Sequence, residues 1–224
     1  MENLSNAHPS ASLQGLKDEL SKMGTLVEKA LGSSVDALKN RNTPLARKTM
    51  ADDAVIDLKR YEIENRCIDL ISAGQMVKAD LRIVVSVLNM ITELERIGDY
   101  AAGIAKIVIL IGDEPPLKPL IDIPRMCEMT IEMVRSSLLA FQTSDVESAR
   151  KVISMDATID GLYDQIFREL LTFMMMDPKT ISRATRLIWV AHNLERAADR
   201  ATNLSERVIY AITGERENTG NSRY

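Results

Sequence analysis

The sequence predicts an all-α fold, two tandem three-helix bundles of long antiparallel helices. Three observations carry this expectation. Gly and Pro are sparse, ten and seven among 224 residues, and they gather at a few places, which favours long helices over many short strands. Between those places, apolar residues recur every three to four positions, the spacing of one helix face. A pattern of three helices and a stop is then repeated in the second half of the chain.

Composition narrows the function classes. The chain is 46% hydrophobic but only 4% aromatic, so its core must be aliphatic. Charged residues make up 27% and the formal net charge is −4. A mildly acidic protein is a poor general nucleic-acid binder, because phosphate contacts need clustered Lys and Arg. Cys67 and Cys127 lie far apart and form no C-x-x-C pair, which makes them reduced core thiols rather than a disulfide or a thiolate zinc site. No basic segment followed by an apolar run opens the sequence, so a signal peptide is not expected. The most apolar runs, residues 83–92 and 107–112, are well short of the roughly 20 residues that span a bilayer. The expected place is the cytoplasm, with docking at the inner membrane through partners.

Residues 1–12 are polar and read as a loose tail. Leu16, Leu20, Met23, Val27, Leu31, Val35 and Leu38 then follow helical spacing, predicting helix one over residues 13–40. Asn42-Thr43-Pro44 marks a stop and a restart, with Thr43 as cap and Pro44 suited to a first helical turn. Helix two is expected over residues 44–72, with Val55, Leu58, Ile63, Cys67, Leu70 and Ile71 as its apolar side and Gly74 as its end. Helix three is expected over residues 77–111. Pro115, Pro116 and Pro119 then exclude helix from the segment after Gly112 and divide the chain into residues 1–112 and 113–224. Helix four is expected over residues 124–143. Helix five, capped by Ser144 or Asp145, should reach about Met175. Helix six opens at Asp177-Pro178 and ends at Gly214. The last ten residues are polar and expected to fray.

The halves are duplicates. The segment from Ala46 to Asp57 (ARKTMADDAVID) aligns with that from Ala149 to Asp160 (ARKVISMDATID), seven of twelve positions being identical at an offset of 103. The motif L-E-R-x-x-D occurs at Leu94–Asp99 and again at Leu194–Asp199, an offset of 100. The difference predicts a turn three residues shorter between helices five and six than between helices two and three.

The duplicated segments carry acidic pairs at i, i+4, neighbours on one helix face. The first half has Asp53/Asp57 on helix two and Glu95/Asp99 on helix three. The second half has Asp156/Asp160 on helix five and Glu195/Asp199 on helix six. From Asp57 to Gly74 is 17 residues and from Gly74 to Glu95 is 21; from Asp160 and Glu195 to Asp177 the counts are 17 and 18. At roughly 1.5 Å rise per residue, both pairs of each half sit at similar heights on antiparallel neighbours. Four carboxylates at one place call for cations, and oxygen-only ligation suits Mg²⁺, Ca²⁺, Mn²⁺ or iron rather than soft-ligand zinc. The plainer alternative is a solvated acidic face paired with Arg96, Arg196 or Arg200. Ferritin-like di-iron sites use repeated Glu-x-x-His, whereas this chain has two histidines, His8 in the tail and His192 in a reversed His-x-x-Glu195. No phosphate-binding loop of the G-x-x-x-x-G-K-[ST] type, no Ser-His-Asp and no Cys-His arrangement is present, so no catalytic residue is expected. The run Phe173–Met176 reads as core or as a partner-facing patch.

These residues resemble the PhoU family of phosphate-transport regulators. The resemblance rests on Asp53-x-x-Ile56-Asp57, Ala79-Asp80-Leu81-Arg82, Glu93–Asp99, Asp156-x-x-Ile159-Asp160-x-Leu162-Tyr163, the run from Phe167 to Met175 and that from Asn193 to Glu206. It covers nearly the whole chain apart from the tails. It implies two three-helix bundles related by a pseudo-two-fold axis. It implies that Asp53, Asp57, Glu95, Asp99, Asp156, Asp160, Glu195 and Asp199 bind metal ions as multinuclear clusters, iron foremost, with Zn, Mn, Mg or Ca as alternatives. It also implies a negative regulator of phosphate uptake and of the starvation response, a non-enzymatic homodimer linking the ATPase subunit of a phosphate ABC transporter to a sensor histidine kinase. The competing expectation is a carboxylate-bridged metal oxidase or metal-storage bundle.

The sequence departs from the family's usual pattern in places. Tyr100 and Arg200 follow the two motifs where the family carries His. Ala198 replaces Gly, Met76 replaces a frequent Pro, and Lys59-Arg60 replaces Leu-Glu. Arg200 is expected to bring positive charge to the second acidic set, making the first set the better metal site.

Overall fold

The computed structural model of the chain describes residues 9–217. Residues 1–8 of the expected N-terminal tail and residues 218–224 of the expected frayed end lie outside the described residues. Six long helices follow in order: α1 Pro9–Asn40, α2 Thr43–Ser72, α3 Lys78–Ile111, α4 Asp122–Thr143, α5 Val146–Met176 and α6 Ile181–Thr213. Among the described residues there is no strand.

The starts and stops follow local chemistry. α1 begins four residues earlier than the apolar spacing suggests, at Pro9, where a missing N–H costs nothing because first-turn donors have no helical partner. The cap of α2 is Asn42 rather than Thr43: the Leu45 N–H donates to Asn42 Oδ1 at 3.0 Å. Asp145 plays the same part for α5, accepting from the Ser148 N–H at 3.1 Å. These two turns are copies. Among the described residues, Arg41 and Ser144, 103 residues apart, are the non-glycine residues with positive φ, 52° and 56°. In each turn the cap residue's own N–H returns 2.9 Å to Ala37 O or to Ala140 O. The expected shortening falls where the offsets place it. Residues 73–77 separate α2 from α3, whereas Asp177 alone separates α5 from a 3₁₀ turn at Pro178–Thr180 that leads into α6.

In each half, the three helices pack on one another. The halves meet through α3 on α6 and α1 on α4, while α2 and α5 lie outside and touch only their own half. A two-fold relation requires contacts between halves to be mirrored, and they are. Asn203 Nδ2 donates to Glu93 Oε2 at 3.2 Å, and a Cβ on Gly103 would stand 3.3 Å from Asn193 Oδ1; each pair is the other with its members shifted by one motif repeat.

The buried side chains form a single cluster through both halves, so the two bundles share one aliphatic core. Leu16, Leu20, Met23, Val27 and Leu31 line the inner face of α1 with no exposed surface. α6 buries small residues, Ala191, Ala197, Ala198 and Ala201, all with no exposed surface, which lets neighbouring helices approach it closely. Both cysteines are buried and free. The apolar side expected for α2 needs correction. Its buried stripe is Ala46, Thr49, Ile56, Ile63 and Cys67, and Val55, Leu58 and Ile71 point outward. An outer helix that touches only α1 and α3 buries a narrow seam, and α2 has more apolar residues than that seam can hold. α5 repeats the seam with Ala149, Val152, Ile159, Ile166 and Leu170.

Candidate functional site

The seam residues aim the acidic pairs. Ile56 is 2% exposed and sits on α2 between Asp53 and Asp57, so its burial turns both carboxylates toward α3. On α3, Leu94, Ile97 and Gly98 are buried beside Glu95 and Asp99. Gly98 permits the close approach: a Cβ there would stand 3.0 Å from Ile56 Cδ1 and 3.2 Å from Asp53 Oδ1. The four carboxylates of the first half therefore lie within electrostatic reach of one another along the α2–α3 contact. Burial, followed by the charges of Asp99, Asp57 and Glu95, pushes Asp53 up to about 6. Burial and like charge also raise Glu95 and Asp99.

The second half repeats this with Ile159 between Asp156 and Asp160, and Ala197 and Ala198 beside Glu195 and Asp199, all three apolar or small groups fully buried. Burial, then Asp160 and Asp199, push Asp156 up to about 6. Glu195 is pushed further, to about 7, by burial and then by Asp199. The two quartets lie on separate helix pairs, α2–α3 and α5–α6.

The arginines divide unequally. Arg60 on α2, absent from the sequence-based pairing, reaches the first quartet, with Nη1 3.4 Å from Glu95 Oε1. On α6, Arg196 lies 3.2 Å from Asp199 Oδ2 and also engages Tyr100 of α3. Arg200 does not bring its charge to the second quartet. Its Nη1 crosses to α3 and pairs with Glu93 Oε2 at 3.3 Å, because on α6 it faces the other bundle rather than α5. Glu195 Oε2 is buried without a hydrogen-bond partner. Its neighbour is His192 Nδ1 at 3.4 Å, and burial lowers the His192 pKa, favouring the neutral ring. His192 also packs on Tyr163, centroids 5.9 Å apart.

Among the described residues, no three His, Cys, Asp or Glu side chains are already gathered as a ligand set. The donor chemistry nonetheless fits a hard cation: oxygen ligands in repelling pairs, raised carboxylate pKa values and an orphaned buried oxygen on Glu195. The run at the end of α5 is partly packed and partly exposed. Met174 packs against the core, whereas Met175 and Met176 are 82% and 80% exposed. Among the described residues, no helix is long and apolar enough to cross a membrane.

The PhoU domain model matches the chain twice, over residues 20–108 and 123–208. The chain belongs to the PhoU family. Each match covers most of one three-helix half, and the gap between them is the proline-bearing connection. Among PhoU relatives, the phosphate-specific transport system accessory protein PhoU homolog of Aquifex aeolicus is 41% identical over 91% of this chain and 92% of its own length. That of Caulobacter vibrioides is 38% identical over 91% and 89%. The crystal structure of PhoU from Pseudomonas aeruginosa superposes with a TM-score of 0.88 at 33% identity, covering 93% of this chain and 100% of that one. The phosphate transport system regulatory protein PhoU from Streptococcus pneumoniae gives 0.87 at 27% identity, covering 94% and 100%.

Proposed function

We propose that this chain is a negative regulator of phosphate uptake and of the phosphate-starvation response. In this reading it is a metal-binding adaptor between the ATPase subunit of a phosphate ABC transporter and a sensor histidine kinase. The observation that carries the phosphate role is full-length similarity to relatives named as accessory proteins of the phosphate-specific transport system. The chain assigns no residue to a catalytic step. It works in the cytoplasm, reaching the inner membrane through its partners.

The metal part of the reading is supported by the quartets. Asp53, Asp57, Glu95 and Asp99 would hold an ion in the first half, and Asp156, Asp160, Glu195 and Asp199 in the second. A bound iron, Mn²⁺, Mg²⁺ or Ca²⁺ would supply positive charge that ends the repulsion between neighbouring carboxylates and ties each outer helix to its inner one. His192 beside Glu195 extends the second set toward zinc. Exposed apolar side chains support partner binding. On α2, Val55, Leu58, Tyr61, Ile68 and Ile71 are 42–60% exposed, and such a row suits self-association into a homodimer. Beside the second quartet, Trp189 is 59% exposed, one turn before His192.

Deletion in the source organism, read with a starvation-promoter reporter and phosphate uptake at high phosphate, tests the regulatory role. Derepression and excess uptake are expected; unchanged repression would overturn it. The metal content of protein prepared without chelator tests the rest. It should exceed that of a variant with all eight carboxylates replaced by Asn or Gln, and equality would refute metal binding.

A further inference from the structure

The two quartets are built from matched residues but differ in one neighbour. Arg60 lies seven residues after Asp53, two turns along the same face of α2, and its guanidinium reaches Glu95 at 3.4 Å. Both side chains are largely withdrawn from water, 28% and 21% exposed. The matching position on α5, seven residues after Asp156, is Tyr163, whose ring packs on His192 and on Phe167. Each quartet keeps the arginine of its L-E-R motif, Arg96 or Arg196. The first therefore holds one positive charge more than the second. The difference shows at equivalent glutamates: Glu95 faces the Arg60 guanidinium, whereas Glu195 faces His192 Nδ1 at 3.4 Å. Arg200 cannot make up the deficit, since Glu93 and Asn203 share its place at the α3–α6 contact.

A guanidinium stays charged at every accessible pH and binds carboxylate oxygen directly. A metal ion entering the first quartet must displace it from Glu95. At the second quartet the entering ion meets a buried Glu195 oxygen that no guanidinium covers, with the His192 ring 3.4 Å away. We infer that Arg60 is a built-in counter-cation that closes the first quartet, and that the divalent ion binds selectively between α5 and α6. This rests on the metal-binding reading above and narrows its occupancy from both sets to the second.

The test is Mn²⁺ binding to the metal-stripped full chain, by equilibrium dialysis and the electron paramagnetic resonance of free ion, with thermal melts to check folding. Wild-type protein should bind at the second set alone. Asp156→Asn with Glu195→Gln should weaken binding by about a hundredfold or more, beyond the loss typical of an outer-shell change. Arg60→Tyr, which copies the second half onto the first, should add a second occupied set. Tyr163→Arg should lower the affinity of the second set. Equal occupancy of both sets in wild type, or unchanged stoichiometry in a folded Arg60→Tyr protein, would each overturn the selectivity while leaving metal binding intact. No Mn²⁺ bound by wild type or by Arg60→Tyr would overturn both.

Discussion

The α2–α3 and α5–α6 pairs share a buried seam, an acidic register and a helical frame, yet they solve the same electrostatic problem differently. In the first pair, a basic side chain from the outer helix partly neutralises the quartet. In the second, an aromatic ring stands at that place and the inner glutamate is left buried beside a histidine. Equal scaffolds with unequal charge show that the carboxylates alone do not define the site. The residue two turns along the outer helix decides how much repulsion remains.

The scaffold half of this comparison can be broken most severely. Ile56→Ala and Ile159→Ala each remove a side chain exposed by 2% or less, and each should cost about 3 kcal/mol, measured by denaturant unfolding. Similar losses would show that the seams are equivalent; a loss under about 1 kcal/mol at either position would mean that its outer helix is held by something else. Next in size is the charge difference. Glu195→Gln should raise metal-free stability at neutral pH by about 1–2 kcal/mol, because it removes an uncompensated buried carboxylate. Glu95→Gln should give no gain, because it also strips Arg60 of its partner. Equal gains would erase the distinction.

The pH dependence follows from the same groups. Asp53 and Asp156 are raised to about 6 and Glu195 to about 7. In the window between their ordinary carboxylate values and these, the folded chain holds more protons than the unfolded one. Their contribution is therefore fully present below the ordinary values and is lost as pH rises through about 6 and 7. The metal-free melting temperature should climb as pH falls from about 7.5 to about 5. The upper part of that climb should disappear in Glu195→Gln. At more acid pH the trend reverses at Glu19, lowered to about 2 by its hydrogen bonds to Lys22 and Lys59, whose contribution is lost as pH falls from its ordinary value toward 2. The smallest expected effect is at the close approach. Ala198→Gly should cost about 1 kcal/mol in helix propensity. Gly98→Ala should return less than that gain, because its Cβ meets Ile56 Cδ1 at 3.0 Å.

Much of this was legible before the fold. Prolines and glycines placed the helix limits within a few residues, since they act on the local backbone. The two offsets placed all eight carboxylates in register, because a helix keeps its periodicity wherever it packs. Side-chain reach between helices was not legible. Arg200 was expected beside Asp199, its sequence neighbour, but it follows the α3–α6 contact to Glu93. Val55 and Leu58 fit an apolar face as well as Ile56 does, and only the narrow contact of an outer helix selects among them. Arg60 had a signal in the sequence: applying the first offset places it opposite Tyr163.

The mirrored contacts between Glu93 and Asn203 and between Gly103 and Asn193 have one more consequence. They are the contacts that two identical half-chains would make about a dyad. In such an assembly every substitution appears twice, so an arginine gained at one acidic site is gained at both. Joining the copies through the connection after Gly112 lifts that constraint. One polypeptide can keep the shared interface and still let each copy acquire its own ionic character, and Arg60 without a counterpart at Tyr163 is such a divergence.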